Sequence, residues 1–232
     1  MFIELKDAVK RYGEGEAAVY ALDHAGFTLE KGKICVILGP SGSGKSTLLG
    51  MLGGLDTLDQ GSLTVGGRDI MGLSPQGRTD YRKEDVGFVF QFYNLIADLT
   101  VEENIQVVAD IADHPLPMDQ VLEALDITKY RRRFPRELSG GQQQRVAIAR
   151  AMIKNPRLLL CDELTGALDT HASRMVLEFV EKMNRQFGTT IIIITHNEAI
   201  SHMAHRVVWI KDGKIDRCQD NQARTPAADL QL

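Results

Sequence analysis

The chain has no long apolar run. Its longest clean stretches, Ile34–Leu38, Leu158–Cys161 and Ile191–Ile194, fall far short of the ~20 residues a membrane-spanning helix requires. The N-terminus, MFIELKDAVKRYGEG, alternates apolar and polar residues, so a secretory leader, basic and then apolar, is not expected there. Cysteine is scarce, three in 232 residues, and Cys35, Cys161 and Cys218 show no paired spacing. That excludes a disulfide framework and a cysteine metal site; reduced thiols in a cytoplasmic protein are expected. Neither sign of charge dominates: 27 Lys and Arg stand against 31 Asp and Glu, a net charge of −4. Nucleic acid is therefore not expected as a partner. What remains is ordinary globular composition, 44% hydrophobic and 25% charged, in a length that fits one large domain or a core with an insertion.

Hydrophobic patterning supplies the architecture. Phe2–Ala8 alternates, Val19–Leu29 gives a second candidate strand, and Ser62–Val65 runs into the turn Gly66-Gly67. Ile34–Leu38, Arg157–Asp162 and Thr189–Thr195 are apolar on consecutive positions, as strands buried on both faces should be. Ser46–Leu52 can form a helix. Val176, Phe179, Val180, Met183 and Phe187 fall at helical spacing, with Gly188 as a stop. Buried strands alternating with amphipathic helices predict a parallel α/β core. Arg206–Lys211 and Lys214–Arg217 read as a hairpin around Asp212-Gly213. Residues 92–155 carry helical periodicity over Val101–Ile111, Met118–Leu125 and Gly140–Lys154 but no buried strand, which predicts a helical insertion. The expected organisation is one domain over residues 1–218 and a polar, mobile tail over 219–232.

Four local patterns carry chemistry. Gly39-Pro40-Ser41-Gly42-Ser43-Gly44-Lys45-Ser46-Thr47 matches G-x-x-x-x-G-K-[ST], with a buried strand before it and a helix after it. Such glycines let backbone N–H groups converge on phosphate oxygens, and the helix N-terminus adds positive potential. Lys45 can reach the β and γ phosphates and the Ser46 hydroxyl can ligate Mg²⁺. Asp162-Glu163 ends a buried strand, where ligands of open α/β sheets sit. Asp162 can hold the hydration shell of Mg²⁺ and Glu163 can take a proton from water; the alternative is that these acids cap a helix. Leu138-Ser139-Gly140-Gly141-Gln142 is both a capping box and a glycine-rich helix start that something could approach closely. His196 follows the buried strand Thr189–Thr195.

These motifs, in this order, resemble those of the ATP-binding cassette ATPases over nearly the whole chain, from about Phe2 to Arg217. The resemblance implies a phosphate-loop NTPase core with an antiparallel β subdomain and a helical insertion, acting on ATP with Mg²⁺. It implies that Tyr12 stacks on adenine, where the residue alone could be a core or surface aromatic. Gln91 would contact Mg²⁺ and sense the γ-phosphate, where a Gln at a strand end is otherwise a solvated polar group. His196 would contact the γ-phosphate, and Asp169 would belong to a loop communicating across a dimer, the alternative being a helix N-cap. Ser139 and Gly141 would contact ATP held by the opposite subunit. With Gly39, Ser41, Gly42, Gly44, Lys45, Ser46, Thr47 and Asp162, these make the expected nucleotide site. Glu163, His196 and Lys45 are its catalytic members, and Ser46, Gln91 and Asp162 its metal ligands.

Leu52-Gly-Gly-Leu-Asp56, Val86-Gly-Phe-Val-Phe-Gln91 and Leu99-Thr-Val-Glu-Glu-Asn104 are similar to the lipoprotein-release and macrolide-export group (LolD and MacB type). The run Leu138–Met152 shares this likeness. The resemblance implies two cassettes, a homodimer or the two halves of a heterodimer, closing head-to-tail over two ATP, and a membrane permease docked on the helical region after Gln91. The chain would then lie on the cytoplasmic face of the inner membrane and drive export or release of lipoprotein, lipid, peptide or drug. A second reading is a mechanical or signalling ATPase of a membrane complex, of the cell-division kind. A third, a cassette protein acting on DNA or ribosomes, lacks the paired cassettes or coiled coils usual there. Leu164 departs from the pattern, since Pro usually follows the Asp-Glu pair and would fix φ beside the candidate base.

Overall fold

The computed structural model describes residues 1–15 and 18–232. Two antiparallel strands, β1 (Ile3–Tyr12) and β2 (Val19–Leu29), precede a fully buried strand, β3 (Ile34–Leu38). Next come α1 (Lys45–Leu52), β4 (Gln60–Val65), the short β5 (Arg68–Asp69), α2 (Pro75–Glu84) and β6 (Val86–Val89). Residues 92–155 hold α3 (Val101–Ala109), α4 (Met118–Ala124) and α5 (Gly140–Met152) and, among the described residues, no strand. The chain then runs through β7 (Leu158–Asp162), α6 (Thr170–Phe187) and β8 (Thr190–Thr195) to the hairpin β9 (Arg206–Lys211) and β10 (Lys214–Asp220). The strands form a four-stranded antiparallel sheet, β2-β1-β4-β5, and a six-stranded sheet, β10-β9-β3-β8-β7-β6. Within the larger sheet, β9 through β6 pair in parallel and β10 is an antiparallel edge. This is the expected α/β architecture with its antiparallel sheet and helical insertion.

The consecutive apolar strands are explained by two cores, one on each face of the larger sheet. Ile34, Val36, Leu159, Cys161, Ile191 and Ile193 pack with α3–α6. Their neighbours Cys35, Ile37, Leu158, Leu160, Ile192 and Ile194 pack toward α1 and the antiparallel sheet. A strand points successive side chains to opposite faces, so a strand covered on both sides must be apolar throughout. Each such side chain stabilises the fold by roughly 1.5–3 kcal/mol relative to exposure. Truncating Ile193, between β3 and β7, to Ala would cost about 2–5 kcal/mol.

Register sets the position of the site. Leu38 pairs with Thr195, and Asp162 with Ile194, so β3, β7 and β8 end at one edge. The segments following those strands, which carry the phosphate loop, Glu163 and His196, therefore emerge side by side. α6 is bounded as its sequence implies. Asp169 caps it through Oδ1, which accepts from Ala172 N at 2.8 Å, and Gly188 stops it at φ 67°.

Two features depart from the sequence expectations. Helix α2 has a single buried residue, Tyr81, whose hydroxyl donates to Leu52 O at 2.7 Å. It therefore has no apolar period to read, although Ser74 at the N-cap and Pro75 after it form a start signal. The polar composition of residues 219–232 predicts a mobile tail, but the structure docks that segment. β10 continues to Asp220, Asn221 Nδ2 donates to Ser201 O and Ala204 O, and Ala227 and Leu230 are buried. Ala227 N donates to Glu181 Oε2 at 3.3 Å, and Arg174 Nη2 to Leu230 O at 3.0 Å. Two apolar residues on one short turn are enough to seat it and too few to register as a period. Among the described residues, no helix is long and apolar enough to cross a membrane.

Candidate active site

The phosphate loop connects β3 to α1 and is held by the surrounding backbone. Gly44 has φ 102° and Gly42 φ 77°, a region that side chains rarely adopt. A Cβ on Gly44 would also collide with Ala21 O, and one on Gly39 with Ile210 O. α1 begins at Lys45 with no side-chain cap, so its first N–H groups face the loop. Lys45 Nζ donates to Gly39 O and Pro40 O, each at 2.7 Å, which curls the ammonium back over the loop. Burial lowers the Lys45 pKa below the usual lysine value, and the charges of Glu163 and Asp162 oppose the shift.

Facing the loop are the carboxylates at the end of β7, Asp162 its last residue and Glu163 the next. Burial, and then the Glu163 charge, raise the Asp162 pKa, while Lys45 and a hydrogen bond from Ser46 act against the rise. Glu163 holds φ 48°, and its N–H donates to Ile194 O at 3.0 Å. Its Oε1 lies 3.1 Å from His196 Nδ1, whereas Oε2 is buried and without a partner among the described residues. Neither acid caps a helix, because α6 starts at Thr170 with Asp169 as its cap. Gln91 stands two residues beyond β6, and a Cβ on Gly166 would come 3.3 Å from its Nε2. Ser41, Gly42, Gly44, Lys45, Ser46, Thr47, Gln91, Asp162, Glu163 and His196 line one open cleft of about 560 Å³, together with Val19 and Ala21. That volume suits a ligand of nucleotide size.

Other expected site residues are not part of the cleft lining, although Tyr12 adjoins Thr47, which is. Tyr12 is half exposed on β1, and its hydroxyl donates to Asp56 Oδ2 at 2.8 Å. Burial and then Asp56 raise its pKa. Ser139 caps α5: its Oγ accepts from Gln142 N at 3.4 Å, and Gln142 Oε1 accepts from Ser139 N at 2.9 Å. The glycines beside it have neighbours within the chain. A Cβ on Gly140 would lie 2.8 Å from the Tyr93 hydroxyl, and one on Gly141 would lie 3.1 Å from Ala172 Cβ. Ser139, Gly141 and Asp169 do not line the cleft. Sequence reasoning missed Val19 and Ala21, which look like ordinary alternating strand residues. It also missed Ser43, whose buried Oγ has no partner among the described residues and which holds an unspecified position of the loop motif.

A family model described as "ABC transporter" matches residues 22–166. The chain belongs to this family. The cassette is 40% identical over 222 residues to the "Putative ABC transporter ATP-binding protein MG065 homolog" of Mycoplasma pneumoniae, covering 94% of this chain and 48% of that protein. It is also 40% identical over 218 residues to the macrolide export ATP-binding/permease protein MacB of Mannheimia succiniciproducens, covering 92% of this chain and 34% of that one. The cassette thus spans about half the length, or less, of these relatives. A solved dimeric structure of the ATP-binding cassette MJ0796, in a post-hydrolysis state with ADP and Pi, matches it with a TM-score of 0.84 and 33% identity. That match covers 94% of this chain and 98% of the other. Leu164 fits the cassette without proline: its side chain is 2% exposed within the core shared with α3–α6. Packing, rather than a pyrrolidine ring, restrains the loop after Glu163.

Proposed function

We propose that the cleft binds Mg²⁺-ATP and hydrolyses it to ADP and phosphate, with two copies closing over two nucleotides to drive a membrane partner. The observation that carries this reading is Glu163 Oε2: a buried carboxylate oxygen with no partner among the described residues, at the cleft that the phosphate loop opens on. The first N–H groups of α1 and the loop bind phosphate oxygens, and Lys45 leaves the Gly39 and Pro40 carbonyls to pair with the β and γ phosphates. Glu163 accepts a proton from water as the water oxygen attacks the γ-phosphorus and the bond to the β,γ-bridging oxygen breaks. His196 orients Glu163 through Nδ1 and meets the γ-phosphate, and Gln91 aligns the water side. The oxygen donors Ser46, Gln91 and Asp162 would hold a magnesium ion, whose preference for oxygen ligands they fit. When bound, the ion neutralises charge on the β and γ oxygens.

Tyr12 stacks on adenine from β1, beyond the cleft lining. Ser139, Gly141 and Asp169 act across the dimer, which accounts for their position outside the cleft of their own chain. Residues 92–155 form the subdomain that meets the membrane partner. In support, Phe90, Phe92 and Ile96 expose apolar surface in the segment around Gln91, and Leu55 exposes more. A permease docked there would hold the cassette peripherally on the cytoplasmic face of the membrane. The relatives favour export or release of a lipoprotein, lipid, peptide or drug over a purely mechanical role, because one of them is named as a macrolide exporter. The test is to isolate Glu163→Gln protein with Mg²⁺-ATP from its native membranes. Co-purification of an integral membrane permease is expected. Recovery of ribosomes or DNA, or of no partner while a membrane-retention control succeeds, would overturn it.

A further inference from the structure

Three glutamines in a row lie near the start of α5, and two of them are bonded within the chain. Gln142 closes the cap on Ser139 and donates to the Tyr130 hydroxyl at 2.9 Å; Gln143 donates to Leu138 O at 3.2 Å. Gln144 differs. Its side chain is fully buried, and neither its amide nitrogen nor its carbonyl oxygen has a hydrogen-bond partner among the described residues. An enclosed primary amide without partners is unfavourable, and an apolar side chain of the same length would fill the space without that penalty. Val146, Ala147, Ile148 and Ala149 on the same helix are buried and apolar.

Its neighbours on the helix show where it faces. Gly140, one turn earlier, abuts the Tyr93 hydroxyl and Leu168, and Ala151 O, two turns later, abuts Gly87 of β6. Residues 140, 144 and 151 lie within about 40° of one another around an α-helix. Gln144 therefore faces the region where two segments leave the sheet. One follows β6 and carries Gln91; the other follows β7 and carries Glu163 and Asp169. The two already approach each other, at Gly166 and Gln91.

We infer that Gln144 is a positioning residue whose amide bonds the backbone of these two segments only when ATP and a second copy engage the cassette. The inference rests on the ATP-driven closure proposed above. A side chain that is unsatisfied in the resting state and satisfied in the closed one biases the equilibrium toward closure. It would tie α5, whose first residue follows Ser139, to the segments holding Gln91 and Glu163.

The test uses Gln144→Met, which keeps the length and removes both hydrogen-bonding groups, in the Glu163→Gln background. Without nucleotide, Tm should rise by about 2–4 °C, because a buried unsatisfied amide is removed. The ATP-dependent dimer, measured by sedimentation, should weaken by about tenfold, since new hydrogen bonds are lost on closure. Binding of ADP to the monomer should not change. Gln144→Leu should move both quantities in the same directions. A purely structural glutamine would give a lower Tm, and that result, or an unchanged dimer affinity, overturns the inference. If the Glu163→Gln parent fails to dimerise with ATP, the closure reading itself fails. That outcome is distinct from a parent and variant that dimerise equally well.

Discussion

Glu163 Oε1 lies 3.1 Å from His196 Nδ1 while the Glu163 backbone sits at φ 48°. A glutamate rarely adopts that conformation, and holding it there costs about 1–2 kcal/mol. The packing of Leu164 and the bond from Glu163 N to Ile194 O hold the strained residue in place. The result is one carboxylate oxygen paired to an imidazole and the other enclosed without a partner among the described residues.

Replacing Glu163 with Gly should therefore move stability and activity in opposite directions. Part of the relieved strain is offset by the chain entropy of glycine, leaving a net gain of about 0.5–1 kcal/mol, or roughly 2–3 °C in Tm. ATP turnover should fall at least about a hundredfold. Calorimetry and a phosphate-release assay check the pair; a lower Tm would mean that the backbone at 163 is not strained.

Asp162 makes stability depend on pH. Its folded pKa is raised, chiefly by burial, so its stabilising contribution is complete below the ordinary aspartate value of about 4 and is lost as pH rises through the raised one. Asp162→Asn removes this loss. Without nucleotide, the variant should exceed wild type in Tm at pH 7, and the gap should shrink toward pH 4. Thermal melts across that range would contradict the assignment if the gap stayed constant.

Tyr12 has two separable parts. Its hydroxyl bonds Asp56, and its ring is half exposed, with the Lys10 ammonium 5.2 Å from its centroid. Tyr12→Ala should weaken ATP binding by about tenfold, and Tyr12→Phe by roughly two- to threefold, as expected if the ring supplies most of the affinity. Equal losses in a nucleotide titration would point to the hydroxyl instead.

Ser139 and Lys45 should complement each other between chains. Ser139→Arg and Lys45→Ala proteins should each be nearly inactive alone, yet mixing them should restore one composite site with ATPase activity. A demonstrated mixed dimer without activity would place Ser139 outside the opposite site.

Much of the fold was legible because burial leaves a periodic trace. Ile34–Leu38 and Ile191–Ile194 are apolar without interruption, and that pattern alone marks the doubly covered strands. Gly188 and Asp212-Gly213 marked a helix end and a hairpin by conformational necessity alone. Helix α2 left no such trace, because only Tyr81 is buried, and the docked tail rests on Ala227 and Leu230. The cleft was legible where its chemistry is consecutive in sequence, as in the run from Gly39 to Thr47. The meeting of Gln91, Glu163 and His196 depends on strand register, which spacing does not reveal. The glycines at 140 and 141 suggested a close approach, and the structure supplies Tyr93 and Ala172 as neighbours. Gln144 was indistinguishable in sequence from the two glutamines before it; only its enclosure sets it apart.

The most direct test of ATP-driven closure around Glu163 is the mass of the Glu163→Gln protein in sedimentation, with Mg²⁺-ATP and then with Mg²⁺-ADP. The account predicts a dimer with ATP and a monomer with ADP at the same protein concentration. A monomer in both, or a dimer that ADP supports equally well, would contradict it.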